Sequence, residues 1–221
     1  GDFELAAGDV ISFIAPVRDG RKFLKKNGFQ THQAKSCIIV GGGRAAYYLA
    51  KRLIELGISV QIVENKKERC EELSVLLPQA IIVNGDGTSE ELLNEIGITT
   101  TESLVPLTGI DEENIMLTLY AKEVSNAKVV TKINRITYTG VIDQLDLGSV
   151  VYPKYITSEA IIAFVRSKTA TMNNNIETMI HLFDERVEAI EFVVGDQSPI
   201  VNLPLAQLKL KKNLLVACIN R

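Results

Sequence analysis

The chain has 221 residues, 46% of them hydrophobic, which is enough for one generous domain or two modest ones with a sizeable core. Its net charge is −3 with acids and bases interspersed, so nothing in it reads as a nucleic-acid-binding stripe. Apolar runs such as Cys37-Ile38-Ile39-Val40 and Ile161-Ile162-Ala163-Phe164-Val165 stop far short of the ~20 residues that a membrane-spanning helix requires.

In chain order, GDFELAAGDVISFIAPVRDGRKFLKKNGFQTHQAKS reads as a strand pair, a short basic helix and a polar linker, and its start lacks the regions of a signal peptide. From Cys37 to about Lys168, β-branched runs alternate with amphipathic stretches. CIIV, SVQIV, AIIVN, SLVPL, KVVTKI and SVVY read as strands, with helices beginning near Gly43, Lys67, Thr88, Asp111 and Tyr138. Repeated strand and helix units of this length predict a Rossmann-like, doubly wound parallel sheet, because parallel neighbours need a crossover and the crossover is usually a helix. In the first of these helices Ala46, Leu49, Ala50, Leu53 and Ile54 make one apolar face, and Gly57 sits where a helix-ending glycine belongs. TSEAIIAFVR predicts a further helix capped by Thr157 or Ser158. After Lys168 the texture turns polar and then to short strands and turns, so a smaller α+β unit is expected over 170–221.

Gly41, Gly43 and Ala46 fit G-x-G-x-x-G/A directly between a strand and a helix. The first glycine permits a tight turn, the second lets the backbone approach a pyrophosphate, and Ala46 keeps helix and sheet close. The helix start then offers unpaired N–H groups to phosphates, and Gly42 adds freedom. Glu64, 23 positions after Gly41, closes the second strand, where a carboxylate accepts ribose hydroxyls and repels a 2′-phosphate, although Lys66 and Lys67 nearby weaken that exclusion. Asn84, Asp86 and Thr88 follow the third strand. Asp86 is placed to line the adenine side, and an Asp86-Gly87 turn with Thr88 as N-cap and Glu91 completing a capping box accounts for the same residues equally well. Thr108-Gly109 ends the fourth strand as a ribose or phosphate contact or as a plain turn. Lys132 and Arg135 close the fifth, where a surface base is the simpler reading than a phosphate partner.

Groups for catalysis are missing by the same reading. His32 and His181 sit where no hydride-transfer acid is expected, Tyr47 and Lys51 lie inside the phosphate-binding helix, and no G-x-S-x-G occurs. Cys37, Cys70 and Cys218 are an odd number with no CxxC spacing, which favours buried thiols in a reduced cytosolic setting over either disulfides or a zinc site. An NAD-dependent oxidoreductase is the alternative function, short of a proton donor and a substrate pocket. A metal or potassium sensor built on Glu71, Glu72, Glu90, Glu91, Glu112 and Glu113 is weaker, since paired acids on helices are usually solvated faces.

IIVGGGRAAYYLAKRL, VENKKERCEEL, NGDGTSEELLNEIGI, LTGIDEENIMLTLYAK and KINR, in this order, resemble the regulator-of-potassium-conductance (RCK, or KTN) domain of TrkA-type potassium-uptake regulatory subunits. The resemblance implies a nucleotide-binding domain over 36–168, including a crossover helix through which such domains dimerise, and a partial C-terminal (TrkA-C) domain over 170–221. Residues 1–30 resemble the tail of a preceding TrkA-C domain. The expectation is therefore a segment cut from inside one C-terminal domain to inside the next, with residues 1–28 completing or replacing the missing part of 170–221. The resemblance further implies a nucleotide cradle of Gly41, Gly42, Gly43, Arg44, Ala45 and Glu64, with Asp86, Gly87, Thr108 and Arg135 as further contacts and no catalytic or metal-binding residues. The implied ligand is NAD(H) or ATP/ADP, held as a regulator. The implied partner is a membrane-embedded potassium transporter subunit of the TrkH or TrkG kind, met by a homo-oligomer at the inner face of the membrane. Ala46 in place of the usual third glycine is the one departure.

Overall fold

The computed structural model describes residues 4, 6, 15–28, 33–135, 139–142, 144–170, 176–182, 187–208 and 214–219. The strand pair expected at the N-terminus falls almost wholly outside these, and so does His32. Two compact units are present, one made of residues 1–33 with 192–221 and the other of residues 34–191.

In the larger unit six strands, β1 (Ser36–Val40), β2 (Ser59–Glu64), β3 (Ile81–Asn84), β4 (Ser103–Pro106), β5 (Lys128–Lys132) and β6 (Ser149–Val151), form one sheet. Their order is β3-β2-β1-β4-β5-β6 and every pairing is parallel. The register sets Val40 beside both Val63 and Pro106, and Glu64 beside Asn84, so the strands finish along one edge. The order turns back at β1, and the helices that follow β1 and β4 pack on opposite faces of the sheet, the topological switch point at which open α/β sheets receive ligands.

Both sheet faces are covered, as continuous apolar strands require. On one face Cys37, Ile39, Val60 and Ile62 pack with Ala46 and Ala50 of α2 (Arg44–Glu55) and Leu73 of α3 (Lys67–Leu76). On the other, Ile38, Val40, Val63 and Leu104 pack with Leu93 of α4 (Glu90–Glu95) and Leu117 and Ala121 of α5 (Asp111–Val124). The alternation along β1 follows from the two-residue period of a strand. Gly57, at φ +77, ends α2 as expected: its N–H reaches the Ile54 carbonyl and the Ile58 N–H reaches that of Leu53, a Schellman closure.

Two helix starts differ from expectation. Ser89, not Thr88, caps α4, its Oγ accepting the Leu92 N–H. Thr88 is instead held by Asp86. After the four-residue α6 (Thr139–Ile142), α7 runs Pro153–Ala170, so Thr157 and Ser158 lie inside it rather than at its cap, with their hydroxyls bonded back to the Pro153 and Lys154 carbonyls. Proline is favoured at a first helical position, where its missing N–H has no partner to lose. β7 (Ile176–Leu182) and β8 (Val187–Phe192) form a separate two-stranded sheet.

In the smaller unit, α1 (Val17–Lys26) follows Pro16 and carries Arg18, Arg21, Lys22, Lys25 and Lys26, the short basic helix expected there. A 3-10 turn spans Leu205–Gln207.

Candidate functional site

The edge formed by the strand ends is built around the three glycines after β1. Gly41 has φ +101, and a Cβ there would lie 3.0 Å from the Leu107 carbonyl carbon and oxygen, so the turn requires glycine on both counts. Its N–H donates to the Val63 carbonyl at 2.8 Å, which ties the loop to the end of β2. Gly42 is buried, and a Cβ there would meet Leu73 Cδ1 at 2.8 Å and Glu64 Oε2 at 3.0 Å. Gly43 is the N-cap of α2, no side chain caps the helix, and a Cβ at Gly43 would have open space around it. The first N–H groups of α2 therefore face outward, with the positive end of the helix dipole behind them. Arg44 and Ala45 are exposed beside them, whereas Ala46 is fully buried in the core, the small side chain the close helix and sheet contact needs.

Glu64, half-buried at the end of β2, accepts the Gly42 N–H through Oε2 at 2.7 Å and the Lys66 N–H through Oε1 at 2.8 Å. Each carboxylate oxygen keeps a second lone pair, so the group braces the loop and still has capacity for hydroxyl donors. From α3, Arg69 donates Nε–H to the Gly42 carbonyl at 2.7 Å. The glycine loop, β2 and α3 thus meet at one residue, Gly42.

The third loop covers the edge from the other side. A Cβ on Gly87 would overlap Val40 Cγ1, so this loop lies directly on the end of β1. Asp86 Oδ1 accepts the Thr88 N–H at 2.9 Å and the Thr88 hydroxyl at 2.7 Å, and these two donors hold its carboxyl below the usual aspartate range. The turn reading of Asp86-Gly87 accounts for its contacts here. Asn84 donates Nδ2–H to the Glu64 and Asn65 carbonyls at 3.0 and 3.2 Å and so fastens the loop after β2. Cys70 lies beneath it, its thiol donating to the Glu64 carbonyl at 3.3 Å, and burial pushes that thiol up.

On the β4 and β5 side the organising residue is Asn114 of α5, fully buried. Its Oδ1 accepts the Thr108 N–H at 2.9 Å, and its Nδ2 donates to the Thr108 and Lys132 carbonyls at 3.3 and 3.0 Å. Thr108 Oγ1 also accepts the Ile110 N–H at 3.2 Å, closing a turn. Lys132 Nζ donates to the Leu107 carbonyl at 3.2 Å, next to Gly41, and burial draws the ammonium down despite the Asp111 charge. Arg135 is exposed, and its Nη2 contacts both Glu112 carboxylate oxygens at 2.9 and 3.0 Å.

The structure therefore joins Gly41, Gly42 and Glu64 by direct contacts, sets Thr108 against Gly41 and Gly87 against Val40, and engages Asp86 and Arg135 within the chain. Arg69, Asn114 and Asp111 were not singled out by spacing as parts of the site; a charged or amide residue in the first turn of the helix after a site strand is the only sequence signal they carry. Tyr47 packs on the core face and Lys51 is exposed on α2, away from the strand ends. Among the described residues, no group of three or more His, Cys, Asp or Glu is arranged to hold a metal, and no helix is long and apolar enough to cross a membrane.

Residues 37–153 match the model of the TrkA-N domain. The chain belongs to the TrkA-N domain family. The match covers the sheet from Cys37 onward and all the site residues above. The chain is 31% identical over 222 residues to the "Trk system potassium uptake protein TrkA homolog 1" of Methanosarcina mazei, covering 100% of this chain and 48% of that protein. It spans about half the length of the curated relatives it matches. In fold, the TrkA-N domain of the inner membrane protein ybaL from Escherichia coli aligns with a TM-score of 0.54 at 15% identity, over 61% of this chain and 99% of that one. The NAD(P)-binding domain of an exopolyphosphatase-related protein from Archaeoglobus fulgidus aligns with a TM-score of 0.50 at 18% identity, over 61% and 99%.

Proposed function

We propose that this chain is a nucleotide-sensing regulatory module of a Trk-type potassium-uptake system. The observation that carries the reading is the Gly42 junction: an uncapped helix start aimed outward from a glycine loop that the Glu64 carboxylate holds from behind. A dinucleotide or adenosine polyphosphate, NAD(H) or ATP/ADP, sets its phosphates on the N–H groups of Gly43, Arg44 and Ala45 and its ribose hydroxyls on Glu64. Gly87, Thr108 and the Asp86 turn border the ligand, and Arg135 meets it by leaving Glu112. The chain works as a sensor rather than an enzyme, and the potassium-uptake name of its relative and the TrkA-N domain of a membrane protein support that role.

Occupancy is coupled to a TrkH- or TrkG-like membrane subunit at the inner face of the membrane through a homo-oligomer. The ligand does this only by binding two arrangements of the modules with different free energies. α7 supports the oligomer, since Ile161, Phe164 and Val165 are 58%, 62% and 54% exposed on it. The grouping of residues 1–33 with 192–221 supports a small domain in which the N-terminal segment completes the tail.

Calorimetric titration with ATP, ADP, NAD, NADH and NADP tests the reading. At least one of the first four is expected to bind, and NADP more weakly than NAD; a chain that binds none of them contradicts it.

A further inference from the structure

The guanidinium of Arg69 is held at both ends. Nε donates to the Gly42 carbonyl at 2.7 Å and Nη1 pairs with Glu72 at 2.6 Å, with the arginine side chain 23% exposed. The same Gly42 donates its own N–H to Glu64 at 2.7 Å. Both polar groups of one buried glycine are therefore fixed by charged side chains, and a Cβ at this position would strike Leu73.

The peptide that carries the Gly42 carbonyl also carries the Gly43 N–H. That peptide is trans, so the two groups point in opposite directions. Fixing the carbonyl toward α3 aims the Gly43 N–H away from it. Among the described residues this N–H has no hydrogen-bond partner. A cationic donor on the carbonyl also draws electron density along the peptide and makes its N–H a stronger donor, as hydrogen bonds in series do. We propose that Arg69 is a positioning residue of the nucleotide site: without touching the ligand, it aims and strengthens the Gly43 N–H as a phosphate donor. The inference rests on the nucleotide reading of the same loop.

A role through one phosphate donor predicts a split between ligands. Calorimetry on the full chain compares ADP with adenosine for the wild type, Arg69→Gln and Arg69→Lys. Arg69→Gln is expected to weaken ADP about tenfold, the size of one charge-assisted hydrogen bond, and to leave adenosine within about twofold. Arg69→Lys is expected to recover part of the loss, and it carries the test if the glutamine variant does not fold. In an amide spectrum without ligand, the Gly43 proton is expected to move upfield in Arg69→Gln, while the amides of β4 and β5 stay in place. Equal loss for adenosine and ADP, unchanged ADP affinity, or an unmoved Gly43 proton would each overturn the proposal. Wild-type chain that binds no nucleotide would instead remove the reading on which it rests.

Discussion

Asp111 Oδ1 accepts both the backbone N–H and the side-chain N–H of Asn134, each at 2.9 Å, while its Oδ2 accepts the Arg135 N–H at 2.9 Å. One buried carboxylate at the start of α5 thus collects three N–H groups from Asn134 and Arg135, just after β5. Burial pushes this carboxyl up, but the Asn134 and Arg135 donors and the arginine charge outweigh it and hold it below the usual aspartate range. The unfolded chain therefore takes up the proton first. The stabilisation is fully present above the ordinary aspartate value, about 3.9, and is lost as pH falls through the lowered folded value. Asp111→Asn sets an amide donor against one of the N–H groups and is expected to cost about 2 kcal/mol at pH 7 in urea unfolding. The gap from wild type should close with acid below about pH 4; a gap independent of pH contradicts this assignment.

Asn114→Ala leaves the Thr108 N–H and the Lys132 carbonyl unpaired inside the protein. Denaturant unfolding is expected to show a loss of about 2–3 kcal/mol. A loss below about 0.5 kcal/mol, the size of an ordinary surface change, would mean that the amide does not organise this side of the site.

Gly87→Ala drives a methyl group into Val40 and is expected to cost about 1–3 kcal/mol in thermal or chemical unfolding. Removing the obstacle tests the cause. Val40→Ala with Gly87→Ala should cost less than the two single changes summed, and strict additivity argues that the methyl finds other space.

Much of this was legible in the sequence because it is periodic or local. The β-branched runs fall within a residue or two of the six observed strands, and the Gly57 helix end depends only on neighbours within one turn. The misplaced caps show the limit of local reading. Thr88 and Ser89 are both competent caps, and Asp86 decides between them by taking the threonine into its own turn. Thr157 and Ser158 look like caps until Pro153 starts the helix one turn earlier. Glu64 and the glycines were readable as a spacing, but the contacts of Arg69, Asn114 and Asp111 join residues 18 to 27 positions apart or more than one element, and only the packed sheet brings those groups together.

In the proposed nucleotide site, Glu64 is the residue expected to set the ribose preference. Glu64→Ser removes the charge facing a 2′-phosphate while Lys66 and Lys67 remain, so the ratio of NADP to NAD affinity is expected to rise by about tenfold or more. The same change releases the Gly42 N–H, so NAD itself should bind more weakly. A ratio that stays constant would place the ribose elsewhere.

The most direct measurement is a backbone amide map of the isotopically labelled chain during titration with ADP and with NADH. The largest shifts are expected at Gly42, Gly43, Arg44 and Ala45, followed by Glu64 and the loop at Asp86 and Gly87. Shifts centred on another surface, or no shifts with either nucleotide, would contradict a nucleotide site on this loop.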